Sequence, residues 1–330
     1  MLSRRLCIVA TLLAATLSGC NWINSLRKNT DTDKSKLETK PANDFVGFLN
    51  RQSGYINTVR YDSVSMNATM PGQFIPRLNS GIIVASKPNS FRMQAGLPIG
   101  GDQLDVGANS QEFWMFVKQS EPKYLYCSLT DFPKVQEKLP VPFEPEWVMQ
   151  ALGMTTYPEN KSYRIENSDR DHAYYLSWED TTASGQKVLK VVEFAGERAD
   201  SRSPQVRRHL ILSPKKDGGW ETVAIAEIKQ VETKELGFDR ESGQANYVQI
   251  PTQVILEWPT QKMKMELNLG RIKLNEKLTP QEQTAMFVKP AKLDNSTPVN
   301  LADLRFNAAP ISTPRGAYPR DLPRVESRRR

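Results

Sequence analysis

The sequence predicts a mainly β (α+β) fold built on a single curved antiparallel sheet that holds a short helical plug. Three observations carry this. Residues 45–290 contain a run of two-residue alternations, clearest at Phe91, Met93, Ala95 and Leu97 and again at Met263, Met265, Leu267 and Leu269. Helical spacing is confined to the start of this region and to one internal stretch. After Gly270 the alternation slips, so that Ile272 and Leu274 become the apolar set. A one-residue slip at a glycine predicts a β-bulge, and bulges curl a sheet.

The 330 residues divide into 1–19, 20–44, 45–290 and 291–330. Arg4 and Arg5 precede an apolar or small run from Leu6 to Leu17. That run is shorter than the ~20 residues a membrane-spanning helix needs, so 1–19 reads as a signal peptide. It closes on Leu17-Ser18-Gly19-Cys20, which resembles the bacterial lipobox. By that resemblance the signal is cut before Cys20, whose thiol takes a diacylglycerol and whose amine takes a further acyl chain such as palmitate. One acyl chain binds a membrane only marginally, whereas two or three anchor it stably. Asn21 follows, where an aspartate favours inner-membrane retention in enteric bacteria, so the expected site is the periplasmic face of the outer membrane. Residues 20–44 then form a polar tether rich in Asn, Thr, Asp, Lys and Ser.

The body opens with a helix capped by Asn43 or Asp44, with Phe45, Phe48 and Leu49 on one face and Gly54 at its close. Strands follow. Ser90–Leu97 alternates strictly, while Phe113-Trp114-Met115-Phe116 is apolar on both faces, so something covers each side. His172, Tyr174, Leu176 and Trp178 share a face, as do Val254, Leu256 and Trp258. The internal helical stretch runs weakly through Asp131–Lys138 and better through Pro145–Leu152. There Pro145 suits the first turn, Trp147, Val148, Ala151 and Leu152 make one stripe, and Gly153 ends it. The segment 291–330 reads as a disordered Pro/Arg-rich tail. From Asp294 onward it carries five prolines, seven arginines and four acids, a composition suited to contact with anionic head groups or envelope polymer.

Composition excludes several classes. With two histidines and three cysteines, no metal centre and no cofactor is expected. Cys7 leaves with the signal and Cys20 is acylated, so Cys127 stands alone without a disulfide partner, and alternation buries it with Leu125 and Leu129. There is no Gly-x-Ser-x-Gly elbow and no phosphate loop, and Asp169 and Asp171 flank Arg170 in a turn, so no enzyme activity is expected. His209 is placed on a half-exposed strand. The net charge of +7 is mild for this length and falls when Arg4 and Arg5 depart, and an exported protein is a poor nucleic-acid binder.

Ser80-Gly81-Ile82-Ile83-Val84-Ala85-Ser86-Lys87-Pro88-Asn89-Ser90-Phe91-Arg92-Met93 resembles the second-to-third strand segment of the LolA/LolB-like family: an apolar strand, a basic residue, Pro-Asn, then an aromatic two residues on. Phe113-Trp114-Met115-Phe116 resembles the aromatic strand that follows. Asn275 and the later Phe287-Val288-Lys289-Pro290 resemble the family's last strand and its Phe-x-x-Pro ending. The resemblance implies an unclosed antiparallel half-barrel wrapped around short plug or lid helices at 131–153, with an apolar cavity between. The family carries and accepts bacterial lipoproteins, and an envelope sensor, RseB, shares its fold. In the carrier an arginine before Pro-Asn latches the lid. Lys87 stands at that position as the lid-latch candidate, with a compact ammonium in place of the planar guanidinium. The lipobox matches the anchored acceptor rather than the soluble carrier.

The function so implied is a membrane-anchored periplasmic protein that holds acyl chains of lipids or lipoproteins. The expected lining is Phe91, Met93, Phe113, Trp114, Met115, Phe116, Trp147, Val148, Met265 and Leu267. Each of these also fits plain core packing. The alternative is an envelope sensor or scaffold module that binds a protein partner and keeps its cavity permanently filled.

Overall fold

The computed structural model describes residues 36–304 apart from 73, 140–142, 183–184, 197–203 and 240–243. The expected signal peptide, Cys20, most of the expected tether and the segment from 305 lie outside the described residues.

Chain order runs α1 (Ala42–Gly54), β1 (Thr58–Thr69), β2 (Ser80–Ser86), β3 (Ser90–Leu97), β4 (Gly101–Ala108), β5 (Glu112–Val117) and β6 (Tyr124–Ser128). It continues with α2 (Phe132–Val135) and a 3₁₀ turn (Gln136–Lys138), then α3 (Pro145–Ala151). Next come β7 (Arg164–Ser168), β8 (Ala173–Thr181), β9 (Lys187–Ala195), β10 (Val206–Pro214), β11 (Trp220–Asp239), β12 (Gln244–Trp258) and β13 (Met263–Leu274). The last elements are α4 (Pro280–Phe287) and β14 (Val299–Asn300).

All strands join one 14-stranded sheet in the order β14-β6-β5-β4-β3-β2-β1-β13-β12-β11-β10-β9-β8-β7. The chain therefore starts in the middle, walks out to β6, crosses by the helical connection to the far edge at β7, and walks back until β13 pairs with β1. Neighbours are antiparallel except the short β14 on β6. The order is open, with β14 at one edge and β7 at the other, so the sheet is an unclosed half-barrel.

The slip after Gly270 is real but is not a bulge. β13 pairs with β1 in one continuous register, from Thr69 opposite Lys264 to Val59 opposite Leu274. In β13 the buried positions change from odd to even beyond Leu269, and in β1 they change at Asp62–Ser63, directly across. Arg271 takes a φ of 52°, a left-handed conformation that reverses the facing without adding a residue.

Helix α1 begins after Pro41, which makes no side-chain cap, so Asn43 and Asp44 lie within the first turn instead of capping it. Its expected face is buried: Phe45, Phe48 and Leu49, with Val46, pack on Tyr174, Leu176, Trp178, Val192 and Phe194 of β8 and β9. Phe45 meets the Tyr174 and Phe194 rings at 5.3 and 4.7 Å. His172 is not part of that strand face. It precedes β8 in a turn with φ 48°.

α3 is buried on nearly all sides, because it lies against the sheet's inner face, and Gly153 (φ 77°) ends it as expected. α1 and the strap after α3 are stitched together. Asn50 Nδ2 donates to the Tyr157 carbonyl (2.9 Å), the Tyr157 N–H returns to Asn50 Oδ1 (2.7 Å), and Ser53 Oγ donates to the Met154 carbonyl (3.3 Å).

The body is longer than 45–290. Leu37 packs beneath α1 and Tyr174 Oη donates to the Glu38 carbonyl (2.7 Å). At the other end Val299 and Asn300 extend the sheet beside Leu125 and Tyr126, and Leu301 is fully buried. The prolines there do not prevent this, because the strand is two residues long and sits on an edge. α4 was not expected either. A capping box opens it, with Glu282 N donating to Thr279 Oγ1 (3.2 Å) and Thr279 N to Glu282 Oε2 (2.8 Å).

α4 and the segment that follows it pack on the outer face of β3–β6. Trp114 and Phe116 point outward with Tyr124, away from Phe113 and Met115, which face the main core. Trp114 lies flat on Gly107, its cross-strand partner, where any Cβ would come within 2.0 Å of the indole. Asp105, fully buried, receives Arg92 Nε (3.1 Å) and Nη2 (2.6 Å), Gln94 Nε2 (3.0 Å) and Trp114 Nε1 (3.1 Å). Arg92 Nη1 also donates to the Ala285 carbonyl of α4 (2.5 Å). Tyr124 Oη donates to the Pro290 carbonyl (2.6 Å) and Asn109 Nδ2 to that of Phe287 (2.8 Å). Among the described residues no helix is long and apolar enough to cross a membrane.

Candidate functional site

A cavity of about 720 Å³ opens between the two arms of the sheet. Ala108 and Phe113, which pair across β4 and β5, line it from one arm, and Val188 and Ile211 of β9 and β10 line it from the other. Phe132 and Pro133 of α2 and Met149 of α3 stand between them. Exposure sorts the wall into two zones. Ala108, Phe113, Met149, Met154, Val188 and Ile211 are buried and form an apolar floor. Asn89, Glu146, Thr156 and Thr181 are exposed, and Lys87, Gln136, Glu144, Asp180 and Lys190 are half-buried, so the rim is polar.

The rim's charges differ in how they are satisfied. Asp180 accepts from Lys161 Nζ (2.7 Å) and pairs with Lys190 Nζ (2.9 Å). Burial alone would raise its pKa, but the two lysine hydrogen bonds prevail and hold it at about 2. Lys87 Nζ donates to the Ser53 carbonyl (2.5 Å) and to Ser53 Oγ (3.0 Å), and burial lowers its pKa. Its contact is thus with the C-terminal turn of α1, and it reaches the strap after α3 only through the Ser53 hydroxyl. Burial raises the Glu144 carboxyl, with Lys190 opposing the rise and Glu146 adding to it.

Of the ten residues expected to line a cavity, Phe113 reaches this one. Phe91, Met93, Met115, Trp147, Val148, Met265 and Leu267 are packed together in the main core. Trp147 meets Trp258 edge-on at 5.6 Å, and Phe91 meets Phe143 at 5.8 Å. The middle of the trough is therefore filled by its own side chains, and the open volume lies toward the gap between the arms. Trp114 and Phe116 are on the opposite face. Met149 was missed because the stripe Trp147, Val148, Ala151, Leu152 marks the side of α3 that meets the sheet, while Met149 is about 100° further round the helix from Val148. Phe132 was legible beside Asp131, and its ring packs on Phe113 at 4.6 Å.

A second, smaller cavity of about 50 Å³ lies where α1 and α3 meet β10–β12. His209 lines it at 4% exposure, not half-exposed as its Arg208–Leu210 flanks implied. Its Nδ1 has no hydrogen-bond partner among the described residues, and burial drives its pKa down to about 4. Cys127 is fully buried, and burial, with Asp131 adding, raises its thiol to about 11. Such a thiol carries almost no thiolate at neutral pH. Among the described residues no group of three His, Cys, Asp or Glu side chains gathers at metal-binding spacing.

No protein-family model matches the chain, and no curated protein matches it. Among solved structures it is similar to a LolA superfamily protein from Nitrosomonas europaea, at 13% identity and a TM-score of 0.45, over 76% of this chain and 99% of that one. It is also similar to a DUF1329 family protein from Desulfovibrio piger, at 12% identity and a TM-score of 0.39, over 75% and 100% of the two chains. The fold assignment itself rests on the strand order, the register and the enclosed helices.

Proposed function

We propose that the protein holds acyl chains of lipids or lipoproteins in the cavity between the arms of its half-barrel, as an envelope protein anchored through Cys20. The observation that carries this reading is the cavity itself. About 720 Å³ of space with an apolar floor and a polar rim lies within the size range of small-molecule sites. Each methylene transferred from water into such a floor contributes about 0.8 kcal/mol, so a modest chain supplies useful affinity without any chemical step. The partners that follow are lipid or lipoprotein chains, a bacterial membrane at the periplasmic face of the outer membrane, and anionic head groups or envelope polymer for the Arg-rich tail. Native mass spectrometry of the purified chain tests it: bound lipid, or uptake of added fatty acid, is expected, and a chain that takes up neither sinks it.

A second reading has its own support. Eight of the ten expected lining residues, Phe113 included, belong to the main core, as a permanently plugged sensor or scaffold requires. That reading expects crosslinks to one envelope protein and no saturable lipid uptake.

A further inference from the structure

Of the charged groups on the cavity's rim, Lys87, Glu144 and Glu146 make no ion pair among the described residues, and of these Lys87 and Glu144 are half-buried whereas Glu146 is exposed. Lys87 makes no ion pair among the described residues: its ammonium rests on the carbonyl and hydroxyl of Ser53, which are neutral. Glu144 makes neither a side-chain hydrogen bond nor an ion pair among the described residues, although it is half-buried. The nearby Lys190 is hydrogen bonded to Asp180, which already holds Lys161 as well. Asp180 thus serves two lysines at once, whereas Lys87 and Glu144 line the same opening with opposite charges and no ion pair among the described residues. A half-buried charge without a partner is costly, and the cost is relieved when a ligand supplies the complement. Burial also raises the Glu144 carboxyl, and Lys190, already bonded to Asp180, only partly opposes the rise.

From this juxtaposition we infer that the cavity selects acyl lipids with a zwitterionic amine–phosphate head, the phosphate at Lys87 and the ammonium at Glu144. The inference rests on the acyl-chain reading above and names the head-group class that the same site takes. The floor holds the chain and supplies affinity. The rim reads the head and supplies discrimination, since an anionic head with no ammonium leaves Glu144 unpaired and faces its carboxylate.

The test is native mass spectrometry of the full chain offered an equimolar mixture of dodecanoyl lysophosphatidylethanolamine, dodecanoyl lysophosphatidylglycerol and monododecanoylglycerol. The wild type is expected to favour the ethanolamine lipid over the glycerol lipid about tenfold, or about 1.4 kcal/mol. In Glu144→Gln that ratio falls to near one, and in Glu144→Asp, which keeps the charge, a preference remains. Lys87→Gln lowers both phosphate lipids relative to the uncharged monoacylglycerol. Far-ultraviolet circular dichroism checks that each variant is folded. Equal binding of the two lysophospholipids by the wild type, or a ratio that Glu144→Gln does not change, overturns the head-group inference and leaves acyl binding intact. Failure of all three probes to bind overturns both.

Discussion

Removing the Asp105 carboxylate should be the most damaging single change on the outer wall of the half-barrel. Asp105 and Arg92 pair with side chains only 0% and 6% exposed, and the carboxylate is also the acceptor for Gln94 and Trp114. Asp105→Ala leaves a guanidinium buried beside the Trp114 ring with no anion, and strands the Gln94 and indole donors. Breaking a buried pair from one side costs about 3–5 kcal/mol. Because Arg92 also holds the Ala285 carbonyl, the loss should loosen α4 as well. The double variant Arg92→Met/Asp105→Met removes both charges together, so it should be less damaging than Asp105→Ala alone. Urea unfolding followed by tryptophan fluorescence measures this. The single variant should shift the midpoint down by more than about 1 M for a urea dependence of roughly 1–3 kcal/mol per M. A loss under about 1 kcal/mol, or a double variant as unstable as the single one, would refute the reasoning.

Other outcomes follow from the same geometry. Fatty acids of increasing length should bind about fourfold tighter per methylene, the equivalent of about 0.8 kcal/mol, until the floor is covered; titration with a chain-length series showing no slope contradicts an apolar site. Val188→Trp places an indole in the cavity and should shorten the chain at which that gain levels off, read in the same titration. Gly107→Ala drives a methyl into the Trp114 ring and should cost at least about 1–3 kcal/mol, read as a lowered urea midpoint. His209 is held neutral when folded, with a pKa of about 4 against an unfolded value near 6.5. The unfolded chain therefore binds more protons between those values, so stability is full above about pH 6.5 and falls as pH drops toward 4. The loss is on the order of 3 kcal/mol. His209→Gln should flatten that part of the stability curve, and an unchanged slope would show that the imidazole is not the group responsible.

Much of the fold was readable from local pattern. The Phe91–Leu97 alternation, the α1 face and the Pro145–Gly153 helix all arise from short-range spacing, because a half-buried strand or helix must repeat its apolar residues at its own period. The double-sided Phe113–Phe116 run announced that something covers the outer face. α4 was legible too: Thr279-Pro280-Gln281-Glu282 is a capping box with proline in the first turn, although little apolar content follows it. The slip at Gly270 was visible, but one strand's sequence cannot show that β1 flips opposite it.

The amino-acid sequence alone determined the local periods: the alternating strands at Phe91–Leu97 and Met263–Leu269, the helices at the start of the body and at Pro145–Leu152, and the burial of Cys127. Only the tertiary structure decided which greasy face meets protein and which meets empty space. Phe91, Met93 and Met265 are as apolar as Ala108, Phe113 and Val188, and the hydrophobic effect rewards removal from water without specifying the neighbour. The distinction comes from long-range closure. β13 returns to β1, α3 fills the middle of the trough, and the two arms are left apart where Lys87 and Glu144 face the opening.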